Sequence, residues 1–236
     1  MDKLSVVIPA HNESENLPIL LPRLYRAMKD MHQEFEILMV DNGSTDSTQD
    51  VILEYKKSIP EIVLVSEPTM GYGRAIRAGL KATTGSYIGI IRSDNQEKSE
   101  DLCEMFRRAQ AGNYALYKAV RMHRITDGLK RVIISFGYNT LFKAFFLVRS
   151  KDLNATPKVF TREFYERAHL ESLDWFIDAE IVLRAERMGY AVGEMGIEYL
   201  PRLKGHSTVR LRHIFQFLRN MLQWRLKLWH DSLLGQ

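Results

Sequence analysis

The chain has 236 residues, of which 45% are hydrophobic and 26% are charged, with 14 glycines and 7 prolines. This composition excludes a disordered or collagen-like chain and favours a single compact unit. The net charge of +4, from 33 basic and 29 acidic residues, favours anionic partners but is too small for a polybasic arm that binds nucleic acid.

Three further features narrow the class of protein. The longest stretch without a charged residue, Val132 to Phe142, is shorter than the roughly 20 residues of a membrane-spanning helix, so we expect none. The first residues enter an apolar strand pattern without a basic flank, which predicts no secretory signal. The single cysteine, Cys103, cannot form an internal disulfide, in agreement with a reducing compartment.

The first half of the chain alternates short apolar runs with helix-period patterns. Strands are predicted at Leu4 to Ile8 and at Glu36 to Val40, on either side of a helix that carries apolar residues from Leu17 to Met28. Ser14 is the predicted N-cap of that helix. The alternation continues with a helix over 45–57, a strand over 62–65, a helix over 73–82 and a strand over 86–91. This order predicts an α/β, doubly wound fold with a parallel sheet covered by helices on both faces.

Polar residues follow three of these strands, at the sheet edge where such folds bind ligands. The polar segments are 9–13, 41–44 and 92–96. Asp94 and Gln96 lie two residues apart, so in an extended chain their oxygens point the same way and fit one Mg²⁺ or Mn²⁺ that screens a diphosphate. A solvated turn at Asp94 and Asn95 is the alternative. The sequence lacks the glycine-rich motifs of dinucleotide-binding and P-loop proteins.

Four motifs occur in order along the chain. They are Ile8-Pro9-Ala10-His11-Asn12-Glu13, Val40-Asp41-Asn42-Gly43-Ser44-Thr45-Asp46, Gly71-Tyr72-Gly73-Arg74-Ala75 and Ser93-Asp94-Asn95-Gln96. Together they resemble the GT-A glycosyltransferases of family two, and most closely the polyprenyl-phosphate sugar transferases, which include the dolichol-phosphate mannose and glucose synthases. The resemblance implies a GT-A fold, with a Rossmann-like, mostly parallel sheet flanked by helices. It also implies a nucleotide-sugar donor, Mg²⁺ or Mn²⁺, and a polyprenyl-phosphate acceptor.

The resemblance assigns the donor site residue by residue. The base and ribose pocket is implied at Pro9, His11, Glu13 and Asp41, and the metal site at Asp94 and Gln96. Further nucleotide-sugar contacts are implied at Arg92, Ser93, Arg202 and Ser207. For Glu13, capping of the first helix is an equally good interpretation.

Two positions depart from the family pattern. The family commonly has an aspartate two residues before the metal-binding one, where this chain has Arg92, and a second acidic residue where this chain has Asn42. Arg92 is consistent with direct phosphate contact, with a weaker metal requirement or with lost activity, and the sequence leaves these open.

The acceptor site is implied at a basic cluster in the middle of the chain. By resemblance, Arg121, Arg131 and Ser135 bind the lipid phosphate, and Asp152 contacts the sugar. The residues assigned to catalysis are Asp94, Arg131 and Asp152. An acceptor phosphate is already anionic at neutral pH, so we predict direct attack on the anomeric carbon with inversion and without a strong general base. Arginines then reduce the repulsion between the two anionic substrates.

Two other functions remain open from the sequence. Transfer to a glycan hydroxyl needs a carboxylate base, for which Asp178 and Glu180 are the best candidates, with Asp152 also possible. A catalytically silent protein that binds nucleotide sugars accounts equally for Arg92. The base and the sugar, of GDP-mannose or UDP-glucose type, also remain open.

The last part of the chain predicts contact with a membrane surface. We divide the chain into a catalytic domain at 1–208 and a basic amphipathic helix at 209–236, with apolar residues from Leu211 to Leu222 and with Trp224 and Trp229 near the interface. Packing of this helix on the catalytic domain is the alternative. Residues 132–148 are a second candidate interfacial helix. We expect a peripheral protein on the cytoplasmic face of a membrane, recruited by these helices or by an anchoring partner subunit, and no nucleic-acid partner.

Overall fold

The computed structural model describes residues 2–122, 137, 140–201 and 219–227. The strands are β1 (Leu4–Ala10), β2 (Phe35–Asp41), β3 (Ile62–Ser66), β4 (Tyr87–Ile90), β5 (Leu116–Met122), β6 (Lys158–Thr161) and β7 (Val192–Glu198). The helices are α1 (Leu17–Lys29), α2 (Thr48–Ser58), α3 (Tyr72–Ala82), α4 (Ser99–Ala111), α5 (140–146), α6 (Arg162–Ala168), α7 (Ile177–Arg187) and α8 (219–227).

The seven strands form one sheet in the order β3-β2-β1-β4-β6-β5-β7. β1 is parallel to β2 and β4, β2 is parallel to β3, and β5 is parallel to β7. β6 alone in this sheet is antiparallel to its neighbours β4 and β5. The predicted mostly parallel α/β sheet is therefore confirmed, and its order reverses between β1 and β4, the position at which such sheets bind ligands.

The central strand β1 is almost entirely apolar because helices cover both faces of the sheet. Val6 packs in a cluster with α1 and α4, whereas its neighbour Val7 packs in a second cluster with α3 and α7. Successive side chains of a strand point to opposite faces, so a central strand needs apolar residues at every position.

The predicted N-cap of α1 is wrong. Asn16 occupies the cap position, and Ser14 Oγ instead donates a hydrogen bond of 2.6 Å to Asp46 Oδ2. The Ser14 hydroxyl therefore binds the carboxylate of Asp46, in the loop between β2 and α2, and does not cap the helix as the local sequence predicted. Pro18 in the first turn favours the helix start, since its missing N–H needs no partner there.

Helix α8 packs against the core formed by α7 and the segment before it. Trp224 is 9% exposed and stacks on Phe176, with ring centroids 5.7 Å apart. The expectation that Trp224 lies at a membrane interface is therefore wrong, and the packing alternative describes this part of the helix. Leu222 and Leu226 on its other face are exposed. Residues 209–218 and 228–236 of the predicted helix lie outside the described residues.

Helix α5 and the residue that follows it also contain both buried and exposed apolar side chains. Phe142 and Phe146 are buried in the core, while Leu141 and Leu147 are exposed. Residues 132–136, 138 and 139 of the second candidate interfacial helix lie outside the described residues. No helix in the described ranges combines the length and the hydropathy that crossing a bilayer requires.

Candidate active site

Most residues of the loop after β4 make hydrogen bonds to neighbouring segments. Ser93 Oγ donates to the carbonyl of Pro9 over 2.9 Å, and Asn95 Nδ2 donates to the carbonyl of Asn16 over the same distance. Asn95 adopts a φ of 58°, a left-handed conformation that asparagine tolerates better than most residues. The loop is thereby held against the end of β1, where the sheet order reverses.

Asp94 and Gln96, the two residues predicted to bind a metal, lie in this loop. Asp94 is 4% exposed, and its Oδ1 accepts a hydrogen bond of 3.3 Å from the backbone N–H of Gln96. Gln96 Nε2 donates to the carbonyl of Leu200 over 3.0 Å, and Gln96 Oε1 accepts from the Tyr199 hydroxyl over 3.3 Å. Carboxylate and carboxamide oxygens are ligands that hard divalent cations prefer, so Asp94 and Gln96 are chemically suited to hold one and would supply it with two oxygen ligands. The described residues contain no group of three or more His, Cys, Asp or Glu side chains placed to hold a metal.

Glu97 closes the same loop from inside the protein. Its carboxylate accepts hydrogen bonds from the backbone N–H of Arg92 and from the hydroxyl of Thr156. Burial raises the pKa of Glu97 to about 7, against the lowering effect of the Arg92 guanidinium. Sequence reasoning did not select Glu97, although it directly follows the predicted metal pair.

Arg92 turns toward the protein interior. Its guanidinium donates to the carbonyl of Asn154 over 3.1 Å and to the Tyr199 hydroxyl over 3.4 Å, and lies 3.7 Å from Asp178 Oδ2. The stacked rings of Tyr72 and Trp175 each lie 5.9 Å from it. The contacts of Arg92 in the structure are thus with other protein groups, and they join segments far apart in the sequence.

The loops after β1 and β2 form one hydrogen-bonded unit beside the oxygen pair. His11 Nδ1 lies 2.9 Å from the carbonyl oxygen of Asn42, and Asn12 Oδ1 accepts from the N–H of Thr45 over 2.8 Å. Asp41 is 7% exposed, and its Oδ1 accepts from the N–H of Ser44. Glu13 Oε2 accepts from Asn16 Nδ2 at the start of α1. The structure therefore brings Pro9, His11, Glu13 and Asp41 to the same edge of the sheet as Ser93, Asp94 and Gln96.

Asn42 explains one of the two departures from the family pattern. Its Nδ2 donates to the carbonyls of Glu67 and Thr69, and its Oδ1 accepts from the N–H of Gly71 over 2.8 Å. An aspartate accepts hydrogen bonds but, when ionised, donates none. The amide is therefore required by the loop that leads from β3 into α3.

Two of the residues predicted for the acceptor side, Arg121 and Asp152, pair with each other. Arg121, at the end of β5, makes a two-pronged ion pair with Asp152, with distances of 2.8 Å from Nε to Oδ2 and 2.6 Å from Nη2 to Oδ1. The other predicted acceptor residues, Arg131 and Ser135, lie outside the described residues, as do Arg202 and Ser207 of the donor site.

The two carboxylates considered as bases for a hydroxyl acceptor have different surroundings. Glu180 is fully buried, and its two oxygens accept from the backbone N–H groups of Glu171 and Ser172, both over 2.8 Å. Asp178 accepts from the buried ammonium of Lys158 over 2.7 Å. Burial lowers the pKa of Lys158, and the Asp178 carboxylate opposes this shift.

A mostly parallel sheet with polar loops after β1, β2 and β4 at its order reversal is typical of α/β proteins that bind a ligand at the carboxyl ends of their strands. A family model described as glycosyl transferase family 2 matches residues 5–174, so the chain belongs to that family. The resemblance drawn from the four motifs is confirmed.

The relatives with similar sequences are sugar transferases. The chain is 28% identical over 212 residues to dolichyl-phosphate beta-glucosyltransferase ALG5A of Trichomonas vaginalis, over 83% of this chain and 65% of that protein. It is 24% identical over 217 residues to the dolichyl-phosphate beta-glucosyltransferase of Dictyostelium discoideum, over 83% of this chain and 66% of that protein. The chain thus spans just under two thirds of the length of these relatives.

Solved structures share the fold. Glucosyl-3-phosphoglycerate synthase from Mycobacterium tuberculosis, solved with phosphoglyceric acid, has a TM-score of 0.67 at 18% identity, covering 96% of this chain and 79% of that one. The same enzyme, solved with Mn²⁺, uridine diphosphate and phosphoglyceric acid, has a TM-score of 0.68 at 18% identity, covering 95% and 78%.

Proposed function

We propose that this protein transfers glucose from a nucleotide sugar to a polyprenyl phosphate, with inversion at the anomeric carbon. The observation that carries the proposal is that Asp94 and Gln96 lie in a hydrogen-bonded loop after β4, at the same edge of the sheet as the loops after β1 and β2. The names of the relatives, which are dolichyl-phosphate beta-glucosyltransferases, support glucose as the sugar and dolichyl phosphate as the acceptor.

In this proposal the donor binds across the ends of β1, β2 and β4. The carboxylates of Glu13 and Asp41 accept hydrogen bonds from the base or ribose, with Pro9 and His11 lining the pocket. Asp94 and Gln96 hold Mg²⁺ or Mn²⁺, which when bound supplies the positive charge that the leaving diphosphate needs. Arg202 and Ser207 complete the diphosphate contacts. UDP is the favoured nucleotide, because the structural neighbour was solved with uridine diphosphate.

The acceptor phosphate binds on the other side of the sugar. Its oxygen is anionic at neutral pH and attacks the anomeric carbon directly, so the site needs cations rather than a base. Arg121, Arg131 and Ser135 supply the guanidinium forks and the hydroxyl. Asp152 holds Arg121 in an ion pair, which supports an ordered guanidinium at this position. Because Glu180 is engaged with two backbone N–H groups, the structure does not favour it as a base for a hydroxyl acceptor.

A lipid acceptor requires contact with a membrane surface. The exposed Leu222 and Leu226 lie one helical turn apart on α8. The described residues of α8 include the exposed Arg219 and Arg225 and no acidic residue, whereas Lys227 pairs with Glu171. This face suits an anionic leaflet, and we place it on the cytoplasmic side. Vesicles containing anionic lipid are expected to float with the protein, and less with a Leu222→Ser, Leu226→Ser variant. Failure of the unmodified protein to float contradicts direct binding and favours recruitment by a partner subunit.

Incubation with radiolabelled UDP- and GDP-sugars, a short polyprenyl phosphate and Mg²⁺ or Mn²⁺ tests the proposed reaction. We expect label from UDP-glucose in a lipid-linked product, reduced at least about 100-fold by Asp94→Asn, as for loss of a group that stabilises developing charge. Asp50→Asn, on the exposed first turn of α2, is the matched control and leaves transfer unchanged. Donor binding without turnover for every sugar and metal would instead identify a catalytically silent protein.

A further inference from the structure

Tyr199 contacts the predicted metal ligand Gln96 and lies outside the loop after β4 that carries Gln96. It lies directly after β7, 103 residues away along the chain, and its hydroxyl donates to Gln96 Oε1 over 3.3 Å. The next residue, Leu200, makes two more hydrogen bonds with Gln96, one from its backbone N–H to the Gln96 carbonyl and one from Gln96 Nε2 to its own carbonyl. Segment 199–200 therefore anchors both the backbone and the side chain of Gln96.

These contacts select one of the two orientations of the Gln96 carboxamide. The carbonyl oxygen of Leu200 only accepts hydrogen bonds, so the amide nitrogen must face it and the amide oxygen must face the other way. That oxygen has two lone pairs, of which the Tyr199 hydroxyl uses one, so the other remains for a cation.

Arg92 acts on the same hydroxyl. Its Nη1 donates to the Tyr199 oxygen over 3.4 Å, which leaves the tyrosine proton to be donated elsewhere, and Gln96 Oε1 is its acceptor in the structure. Arg92 is itself fixed by Asn154 and by the buried Asp178. The residue that replaces the family's aspartate thus reaches the metal pair indirectly, through Tyr199.

We propose that Tyr199 is a positioning residue for the divalent cation, and that Arg92 acts through it by orienting its hydroxyl toward Gln96. The inference rests on the proposed cation site at Asp94 and Gln96. Partners that orient a metal ligand commonly change metal affinity by about 10- to 100-fold when they are removed.

The test measures Mn²⁺ affinity directly, by electron paramagnetic resonance titration in the presence of UDP, together with UDP affinity in the absence of metal. Tyr199→Phe removes the hydroxyl and keeps the ring that lies against Arg121, so the fold is retained. We expect it to weaken Mn²⁺ binding about 10-fold and to leave metal-free UDP binding unchanged. Tyr190→Phe is the matched control, because it removes a hydroxyl bonded to the exposed side chains of Arg167 and Glu163, and we expect no change.

Gln96→Ala separates the inference from the proposed function. If Gln96→Ala loses Mn²⁺ affinity but Tyr199→Phe binds Mn²⁺ like the unmodified protein, the positioning role is wrong and the cation site stands. If Gln96→Ala also binds Mn²⁺ normally, the cation site itself is wrong. An equal loss of metal-free UDP affinity in Tyr199→Phe would place Tyr199 in the nucleotide pocket and overturn the inference.

Coupling between the two residues tests the part played by Arg92. If Arg92 acts through Tyr199, the two substitutions are not additive. The variant that carries both Arg92→Lys and Tyr199→Phe then has the same Mn²⁺ affinity as the single variant that binds Mn²⁺ more weakly. Losses that multiply in the double variant would show that Arg92 acts independently of Tyr199.

Discussion

Asn42 stands at the end of β2 with all three of its described side-chain hydrogen bonds directed to backbone groups of residues 67–71. Asn42→Asp removes both donated bonds and places a negative charge near two carbonyl oxygens. We expect the free energy of unfolding to fall by about 2 kcal/mol, the scale of leaving buried polar groups unpaired. Urea denaturation measures it, with Asn113→Asp in an exposed turn as a control that changes little. Equal stability of the two variants would contradict the role assigned to Asn42.

Lys118 gives a pH dependence whose sign follows from burial. Its ammonium is buried and donates to the carbonyl of Ala119, and burial lowers its pKa from 10.5 to about 8. Below pH 8 both folded and unfolded chains carry the proton. Between about pH 8 and 10.5 the folded chain has released it and the unfolded chain has not, so this residue makes the free energy of unfolding rise with pH.

Removal of the Lys118 charge therefore changes how strongly the free energy of unfolding depends on pH. Lys118→Met is expected to lower the slope of unfolding free energy against pH in the range 8 to 10.5, by up to about 1.4 kcal/mol per pH unit. Urea denaturation at three values of pH in that range measures the difference. Parallel curves for the two proteins would show that Lys118 does not titrate there.

At the scale of elements, the start of α3 packs directly on the segment before α7. A Cβ on Gly73 would lie 2.6 Å from the carbonyl oxygen of Asp174, closer than real contacts allow. Gly73→Ala must therefore push α3 away from the segment that carries Trp175. We expect a loss of about 1–3 kcal/mol in stability and a loss of sugar transfer. Gly137→Ala is the control, since no described atom lies within 4 Å of its Cβ position. Normal transfer by the Gly73 variant would contradict this packing.

Helix α8 packs on the core through the buried side chains of Met221 and Trp224, and polar contacts of Asn220 with Asp174 and of Lys227 with Glu171 add to this packing. Trp224 stacks on Phe176, and the guanidinium of Arg184 lies 5.0 Å from its ring. We expect Trp224→Ala to cost about 3 kcal/mol, as for other buried aromatic side chains, whereas Leu226→Ala on the exposed face changes stability by less than about 0.5 kcal/mol. Thermal unfolding of the two variants compares them, and similar losses in both would mean that α8 docks in another way.

Across the whole molecule, sequence patterns predicted those parts of the fold that depend on local periodicity. The strands from β1 to β4 and the helices between them lie where alternating apolar patterns put them, because both faces of the sheet are covered. The predicted Ser14 cap failed because the partner of that hydroxyl, Asp46, lies 32 residues away. The reversed direction of β6 likewise depends on pairing between distant segments.

The residues of the candidate site also differ in whether the local sequence could predict them. Asp94 and Gln96 were predicted because a polar pair directly after a buried strand is a local signal. Tyr199 and Glu97 carry no such signal, and the direction of Arg92 is set by Asn154 and Tyr199, which are 62 and 107 residues away. Family likeness indicated that Arg92 is unusual, but only the assembled fold shows which groups it contacts.

The central claim is that a divalent cation bridges Asp94 and Gln96 to a nucleoside diphosphate at the carboxyl ends of β1, β2 and β4. Anomalous X-ray diffraction at the manganese edge, from crystals grown with Mn²⁺ and UDP, locates that cation directly. We expect one strong peak within bonding distance of oxygens from Asp94, Gln96 and the diphosphate. A peak elsewhere, with UDP bound outside this cleft, would contradict it.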